Sequence, residues 1–376
     1  MSASLDILGS LLFPNREQHA IPALDGAYAP NSRLEELPAL GPELAAPDDI
    51  AAGDGGALFA ASGRRLLRLS AAQPGAAAVV VEFEAPISAL DRLADGSFVV
   101  GLNGVGLRHL APGGETLSRI DRVNDAPLRC VTAVAEDRRR GGVYFTVGSS
   151  RHDAEDWVWD LMERNRSGLL GYWPPDAGRA EVLLDGLAYP NGVQVEDGGE
   201  SLLFTQSWSH SLARYRLDGG ARRDFDLVIG NMPGYPARIA AAGGGGHWLA
   251  LFAMRTQLVE LVLKERAFAR EMMASVDPAL WIRPALRTTG SHLEPLQGGG
   301  IKKLGIRKPW APPRSYGLVV RLDEHCEPVS SLHSRVDGRN HGISAAREFD
   351  GRLFVVSKGN DRILVHEPEP REPVHA

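Results

Sequence analysis

Short apolar runs alternate with turns rich in Gly and Asp along most of the chain. In "DDIAAGDGGALFAASGRRLLRLS" (48–70), an apolar run is followed by a turn, a second apolar run, another turn and a third run that carries arginines. Short runs bounded by Gly and Asp predict β-strands joined by tight turns. The same order recurs in "ISALDRLADGSFVVGLNGVGLRHLAP" (87–112).

This unit occurs six times, with later copies beginning near positions 130, 190, 237 and 341. One small antiparallel sheet cannot bury both of its faces, whereas six sheets arranged around an axis can. The pattern therefore predicts an all-β, six-bladed β-propeller as a single domain over 43–370. A β-sandwich or two all-β domains is the alternative, but no linker-like change in composition separates the copies. Residues 1–42 are expected to wrap the side of the propeller or to supply a closing strand.

Two copies are interrupted, the third at about 151–167 and the fifth at about 255–314. Loops on one face of a propeller surround the mouth of its central channel, so both insertions predict a helical cap over a pocket. "DAEDWVWDLMERN" places Trp157 near the apolar stripe of a helix, and "GGGIKKLGIRKPWAPP" predicts an aromatic and cationic lip. The alternative for most of these apolar residues is simple docking on the scaffold.

Composition excludes several classes of partner. Of the 376 residues, 47 are Asp or Glu and 41 are Lys or Arg, so nothing global attracts nucleic acid or an anionic membrane. No stretch approaches the roughly 18 residues that a membrane helix needs. The two cysteines lie far apart, which argues against a disulfide framework or zinc site and favours a cytoplasmic location. The expected partner is a small-molecule substrate, and the expected state is a monomer or a low homo-oligomer.

Several segments resemble the strictosidine synthase-like proteins, which belong to a wider clan of gluconolactonase, senescence marker protein and paraoxonase-type propellers. They include "VYFTVGSSRHDAEDWVWDLMERNRSGLLGYWP", "EVLLDGLAYPNGVQVEDGGESLLFTQSWSHSLARYRLDG" and "NMPGYPARIAAAGGGGHWLAL". The resemblance implies a six-bladed propeller in which the start of each innermost strand faces the channel. It says little about the reaction, because the fold hosts lactonases, esterases, a Pictet-Spengler enzyme and proteins without known activity.

The resemblance also implies where a metal would be held. Metal-dependent members of the clan hold one calcium ion on the axis with side chains from four blades. Asp48 and Asn191 fall at two of those positions in this sequence, whereas Thr132 and Ala237 replace an amide and a carboxylate. One carboxylate, one amide and one hydroxyl make a poor site for a hard cation. Binding of calcium by Asp48 and Asn191 therefore remains an open possibility, and no other cofactor is expected.

Strand alternation bears on two pairs of adjacent residues. Successive side chains of a strand point to opposite faces, so one residue of the pair Asp48 and Asp49 should point away from the channel. The same holds for one residue of the pair Ala237 and Arg238. The resemblance favours Ala237 as the residue that faces inward. An inward Arg238 would pair with Asp48 or bind a substrate carboxylate.

The sixth copy bears on a different reaction. The plant strictosidine synthases use a channel-facing Glu of the last blade as the acid/base for amine–aldehyde condensation, and that Glu aligns with Ser344. Glu348 could replace it only in a shifted register. Because condensation needs a group that both gives and takes protons, the substitution argues against the same chemistry and makes Ser344 a candidate for substrate binding.

His341 is the most informative histidine. Placed at the channel end of the sixth copy, it would be a general base near neutral pH, although hydrogen bonding to a neighbouring turn is the alternative. In "SWSHSL", Trp208 and His210 are candidates for the channel mouth, although His210 also fits a surface turn.

The sequence thus predicts a hydrolase for a lactone or ester. Asp48, Asn191 and His341 would carry the chemistry, and Thr132 would orient the substrate. Two alternatives stay open: an enzyme of strictosidine synthase type that forms or breaks C–N or C–C bonds, and a binding propeller without catalysis.

Overall fold

Six antiparallel sheets follow one another along the chain and close into a ring. The computed structural model describes residues 21–70, 77–217, 224–288, 302–303, 306–307 and 314–367. Within each sheet the strands pair in chain order. The first strand of each sheet contacts the first strand of the next, and the sixth contacts the first. The six-bladed β-propeller predicted from the sequence is therefore confirmed.

The first three blades occupy the first half of the chain. Blade one contains β1 (Pro47–Ala52), β2 (Ala57–Ser62), β3 (Arg65–Ser70) and β4 (Ala77–Glu82). Blade two contains β5 (Ile87–Arg92), β6 (Phe98–Leu102), β7 (Gly106–Leu110) and β8 (Thr116–Ile120), and a hairpin of β9 (Arg122–Val123) and β10 (Ala126–Pro127) follows it. Blade three contains β11 (Val131–Asp137), β12 (Gly142–Val147), β13 (Gly168–Trp173) and β14 (Glu181–Leu187).

The other three blades complete the ring. Blade four contains β15 (Pro190–Val195), β16 (Ser201–Gln206), β17 (Ser211–Arg216) and β18 (Asp226–Ile229). Blade five contains β19 (Gly234–Ala241), β20 (His247–Met254), β23 (Gly317–Leu322) and β24 (Pro328–Ser334), with the short strands β21 (Lys302–Lys303) and β22 (Ile306–Arg307) inserted. Blade six contains β25 (Ile343–Phe349), β26 (Arg352–Ser357) and β27 (Arg362–His366).

The strands in the middle of a blade have both faces covered by neighbouring blades. All eight residues of β20, "HWLALFAM", are buried, as are all six of β12, "GVYFTV". A sheet packed on both faces gains from continuous apolar runs rather than from strict alternation. The outer strand β4 is mostly exposed, which fits its place at the rim. The core therefore lies between the blades and around the axis.

The N-terminal segment packs on blades five and six. Its short helix α1 (Arg33–Glu36) lies against β24. Further along, Ala39 forms an isolated antiparallel bridge with Leu364 of β27, and Leu40 donates its amide hydrogen bond to Ile363. The segment thus adds edge pairing to blade six, in which the described residues form three strands.

The two insertions supply helices. The insertion in blade three forms α2 (Trp157–Glu163), and the one in blade five forms α3 (Gln257–Lys264) and α4 (Arg266–Ser275). Helix α3 begins where the Thr256 hydroxyl accepts a hydrogen bond from the Val259 amide at 3.3 Å, an N-cap. Most of the predicted cationic lip lies outside the described residues. Within the described ranges, no helix is long and apolar enough to cross a membrane.

Candidate functional site

A common irregularity places one polar ring around the channel. Each inner strand loses register with its neighbour near its start, as between Ile87 and Ala89 in β5. A bulge inserts an extra residue whose side chain no longer follows the alternation of the strand. The residues at the six breaks are Asp48 with Asp49, Ser88, Thr132, Asn191, Ala237 with Arg238, and Ser344. All of these except Asp49 line one cavity.

The cavity has about 530 Å³ of empty volume, part of which is open to solvent. Apolar side chains form its upper wall: Trp157 from the cap, Tyr189 before β15, Phe252 of β20 and Leu286. Trp157 packs edge-on against Phe252, with ring centroids 5.4 Å apart. A polar floor beneath an apolar wall suits a small organic molecule with one polar end.

Arg238 lies across the floor of this cavity. Its Nη2 donates to Asp48 Oδ1 at 2.6 Å and to the Ser88 carbonyl at 2.5 Å, and its Nη1 donates to the carbonyls of Asp48 at 2.9 Å and Ser344 at 3.3 Å. Its Nε lies 3.0 Å from Asp49 Oδ2. The side chain is 5% exposed. Because these contacts occupy both terminal nitrogens, Arg238 is poorly placed to bind a substrate carboxylate.

The expectation that only one residue of an adjacent pair faces the channel was wrong for Ala237 and Arg238, because the register of the strand is interrupted there. Ala237 and Arg238 both line the cavity. Asp48 lines it too, while Asp49 is fully buried below it and contacts Arg238. Of the two roles considered for an inward Arg238, the structure shows pairing with Asp48.

Lys358 holds the other carboxylate oxygen of Asp48. It follows β26 in the turn Lys358–Asn360, and its Nζ donates to Asp48 Oδ2. Burial alone would raise the pKa of the Asp48 carboxyl, but the charges and hydrogen bonds of Lys358 and Arg238 outweigh burial and lower the pKa below its ordinary value. Asp48 is therefore ionised throughout the neutral range.

A line of alternating charges continues from the cavity toward the opposite face of the propeller. Arg347 Nη2 lies 3.1 Å from Asp49 Oδ1, and its Nη1 lies 3.6 Å from Asp91 Oδ1. Burial raises the pKa of Asp91 to about 6, although the charge of Arg347 acts in the other direction. The axis is thus filled by ion pairs of the chain itself.

Three hydroxyls and one amide complete the ring. The Thr132 hydroxyl donates to the Pro190 carbonyl at 2.7 Å, and the Ser344 hydroxyl donates to the Asp48 carbonyl at 2.7 Å. The Ser88 hydroxyl is buried without a hydrogen-bond partner in the described part of the chain. Asn191 has no side-chain hydrogen bond to any described residue, so its amide is available to a ligand.

The sharp turn before Asn191 is shaped by close packing. Tyr189 has φ +55°, a left-handed conformation that is unusual for an aromatic residue. Its ring packs over Gly148, where an added Cβ would lie 2.9 Å from the ring. On the other side of Asn191, a Cβ on Gly192 would lie 2.5 Å from the Ala237 carbonyl oxygen. Both glycines thus allow the close approach that brings Asn191 to the channel.

The remaining predicted residues lie around the cavity rather than in it. Trp208 does not line the cavity, but it stacks on Tyr189 at 4.3 Å and donates from Nε1 to Asp160 Oδ1 at 2.7 Å. His210 is buried and lies 3.6 Å from Glu260 of the cap helix α3. His210 therefore lies neither at the channel mouth nor in an exposed surface turn. It packs beneath the cap helix instead.

The prediction that His341 faces the channel was wrong. Its ring is fully buried, with Nδ1 2.9 Å from the Ser315 hydroxyl and Nε2 2.7 Å from the Arg335 carbonyl. Strand β25 begins two residues later, and its bulge presents Ser344 to the cavity instead. His341 is therefore a buried residue that hydrogen-bonds to its neighbours, which was the alternative to a general base.

The donor set does not fit a calcium ion. The two oxygens of Asp48 already bind Arg238 and Lys358, and Ala237 supplies no oxygen from its side chain. Among the described residues, no three His, Cys, Asp or Glu side chains converge as metal ligands do. Two protein cations at the one channel carboxylate would repel a third cation.

Sequence reasoning missed Lys358, which lies in a turn rather than in a strand. Lys358 is the first residue after the second strand of blade six, and the turn Ser207–Ser209 follows the second strand of blade four in the same way. Lys358 lines the cavity, whereas no residue of Ser207–Ser209 does. An alignment of the copies on their second strands would therefore not have singled out Lys358.

Comparisons with known proteins agree with this architecture. The family model described as strictosidine synthase matches residues 133–219. Adipocyte plasma membrane-associated protein of Salmo salar is 26% identical over 239 residues, which are 64% of this chain and 50% of that protein. Protein strictosidine synthase-like 13 of Arabidopsis thaliana is 31% identical over 124 residues, 33% of this chain and 30% of that protein. The chain thus spans at most about half the length of these two relatives.

Two solved structures share the fold. A gluconolactonase from Xanthomonas campestris matches with a TM-score of 0.56 and 14% identity, over 87% of each chain. Regucalcin from Agrobacterium tumefaciens, described as a calcium-binding protein, matches with a TM-score of 0.54 and 12% identity, over 88% of this chain and 93% of that one. The resemblance inferred from the sequence is confirmed: this chain is a six-bladed propeller similar to the strictosidine synthase-like proteins, with the fold of gluconolactonase and regucalcin.

Proposed function

We propose that this protein is a small-molecule hydrolase that cleaves a lactone or a related ester in the central channel, using side chains of the chain rather than a metal ion. The observation that carries the proposal is the convergence of a carboxylate, an ammonium and an amide on one cavity, namely Asp48, Lys358 and Asn191. A fold shared with a gluconolactonase supports the proposal by analogy only.

Lys358 and Asn191 would bind the carbonyl of the substrate. An ammonium and an amide NH₂ are both donors, and Lys358 uses one of its hydrogens on Asp48. Attack on the carbonyl places negative charge on its oxygen, and donors that are already in position stabilise that charge in the transition state. Binding and activation of the carbonyl would thus come from the same two groups.

Asp48 would accept the proton of the attacking water. The water oxygen bonds to the carbonyl carbon as its proton passes to Asp48, and the intermediate carries its charge beside Lys358. Collapse of the intermediate breaks the carbon–alkoxy bond, and the leaving oxygen takes the proton back from Asp48. The products are a hydroxy acid from a lactone, or an acid and an alcohol from an ester, and Asp48 returns to its ionised form.

The low pKa of Asp48 limits the range of substrates. A carboxylate whose pKa lies below the ordinary value is a weak base, so it contributes less to proton transfer than a base near neutral pH. Substrates with a reactive carbonyl, such as strained lactones and aryl esters, need less help from the base. The apolar wall of Trp157, Tyr189 and Phe252 favours a substrate with an apolar body.

The test is a panel of lactones and aryl esters assayed after exhaustive treatment with EDTA. We expect hydrolysis by the chelated protein, a loss of kcat/KM of about 10²-fold or more in Asp48→Asn, and a loss of about 10-fold or more in Asn191→Ala. Asp176→Asn is the matched control, because Asp176 is exposed in a distant turn of blade three. Turnover that is equal in Asp48→Asn and the wild type would refute the proposal.

A binding propeller without catalysis is the second candidate. The specific observation in its favour is that two cations hold Asp48, which makes it a poor base. Ligands that raise the melting temperature without being turned over would support it. The strictosidine synthase type of reaction has less support, because Ser344 offers only a hydroxyl that already donates to the Asp48 carbonyl.

A further inference from the structure

One hydroxyl of the polar ring is not used by the protein itself. The Thr132 and Ser344 hydroxyls both donate to backbone carbonyls, at 2.7 Å each. The Ser88 hydroxyl is buried as well, yet it has no hydrogen-bond partner among the residues that the structure describes. A buried hydroxyl without a partner costs free energy, so it calls for a ligand or a water molecule. Because Ser88 lines the channel cavity, the ligand would be the substrate.

Ser88 lies beside the carboxylate of Asp48. It occupies the register break of β5 between Ile87 and Ala89, and β5 packs against β1, which carries Asp48. One nitrogen, Arg238 Nη2, donates both to Asp48 Oδ1 at 2.6 Å and to the Ser88 carbonyl at 2.5 Å. Arg238 therefore fixes the backbone of Ser88 next to the group that would carry the proton during hydrolysis.

The order of the blades places Ser88 across the channel from the carbonyl of the substrate. Lys358 of blade six and Asn191 of blade four, the two donors proposed for that carbonyl, flank blade five. A carbonyl oxygen that both of them hold points toward blade five. The leaving oxygen is bonded to the same carbon and points in a different direction. It therefore falls on the side of blades one and two, where Asp48 and Ser88 lie.

We infer that the Ser88 hydroxyl donates a hydrogen bond to the leaving oxygen and so determines which esters the site cleaves, an inference that rests on the hydrolysis proposed above. As the carbon–alkoxy bond breaks, negative charge grows on the leaving oxygen, and a donor already in place stabilises that charge. Ser88 keeps its own proton, since the leaving oxygen takes the proton that Asp48 received from water. The single side-chain torsion of serine, with three staggered positions, lets the hydroxyl meet the substrate.

This role of Ser88 favours substrates with an alkoxide as the leaving group. The leaving oxygen of a lactone or an alkyl ester is strongly basic, so its departure depends on a hydrogen-bond donor and on a proton. An ester of para-nitrophenol releases a stable phenolate, which needs little help to depart. Ser88 would thus extend the reaction of the site from activated aryl esters to lactones.

The experiment compares Ser88→Ala with the wild type on δ-valerolactone and on the para-nitrophenyl ester of pentanoic acid. We expect kcat/KM for the lactone to fall by about 10-fold or more, and kcat/KM for the aryl ester to stay within about threefold. Ser88→Cys keeps the size of the side chain but offers only a weak donor, so it should show the same selective loss. The melting temperature of Ser88→Ala should equal or exceed that of the wild type, because the change removes a buried hydroxyl that has no partner.

Ser211→Ala is the matched control. Ser211 of β17 is also a buried serine whose hydroxyl lacks a partner within the described ranges, but it does not line the cavity. Its replacement should leave kcat/KM unchanged for both substrates. A general effect of removing a buried hydroxyl would appear in both variants, whereas the selective loss should appear only at Ser88.

The outcomes separate this inference from the proposed function. An equal loss on both substrates in Ser88→Ala, or a loss on neither, would overturn the role of Ser88. Hydrolysis by the wild type and its loss in Asp48→Asn would in that case still support the proposed hydrolase. A wild type that hydrolyses neither substrate would overturn both.

Discussion

Replacement of Lys358 by methionine separates catalysis from stability. Lys358→Met keeps most of the length of the side chain and removes its charge. The lysine side chain is 33% exposed, and Asp48 keeps Arg238 as a partner in the variant. A partly exposed ion pair contributes about 0–1 kcal/mol, so the melting temperature should fall by about 2 °C or less.

The effect on turnover should be much larger. Loss of one donor to a developing oxyanion costs about 10²–10³ in kcat, which is roughly 2.7–4 kcal/mol of transition-state stabilisation. Without the charge of Lys358 the pKa of Asp48 should rise toward its ordinary value, because that charge is a principal cause of its lowering. The acid limb of the pH–rate profile should therefore move to higher pH in the variant.

The assay measures kcat/KM against pH for the most reactive ester or lactone of the panel, together with thermal unfolding. Lys264→Met is the matched control, since Lys264 is an exposed lysine at the end of α3. The reasoning is refuted if Lys358→Met keeps more than about a tenth of wild-type kcat/KM, or if its acid limb stays in place.

Three further predictions concern Gly192, His341 and Asp91. Gly192→Ala should lower the free energy of unfolding by about 1–3 kcal/mol, because the new Cβ would lie against the backbone of Ala237; a denaturation midpoint equal to that of the wild type contradicts this. His341→Ala should destabilise the protein by about 1–3 kcal/mol, because the buried hydrogen-bond partners of His341 lose their contacts. The kcat/KM of the folded variant should stay within a few-fold of the wild type. A loss of about 10²-fold in kcat/KM would instead support His341 as the general base. The folded pKa of Asp91 is about 6, above the roughly 3.9 of an unfolded chain, so the folded state binds this proton more tightly. The contribution of Asp91 to the free energy of unfolding is greatest below about pH 4 and is lost as the pH rises to about 6. The urea midpoint of the wild type should therefore fall over this pH range by more than that of Asp91→Asn.

Much of the fold was accessible from sequence because the repeat is local. Each blade shows its strands and turns within a short segment, so six copies could be recognised and their order fixed. The residues Asp48, Thr132, Asn191 and Ser344 of the polar ring were found through the family resemblance, which implies that the start of each innermost strand faces the channel. Location in the cell and oligomeric state stay predictions.

The errors have one physical origin, which is that backbone irregularities decide where side chains point. Alternation assumes a regular strand, whereas the register break at Ala237–Arg238 leaves both of these residues lining the cavity. His341 was assigned to the start of a strand that begins two residues later. Lys358 reaches the channel from a turn after the second strand, where no periodicity marks it.

The most direct measurement of the central claim is the initial rate of lactone or aryl ester hydrolysis by the metal-stripped protein, before and after calcium is added. The account predicts hydrolysis that is the same in both conditions and that falls at least about 10²-fold in Lys358→Met under both. Hydrolysis that appears only after calcium is added, or that persists unchanged in Lys358→Met, would contradict it.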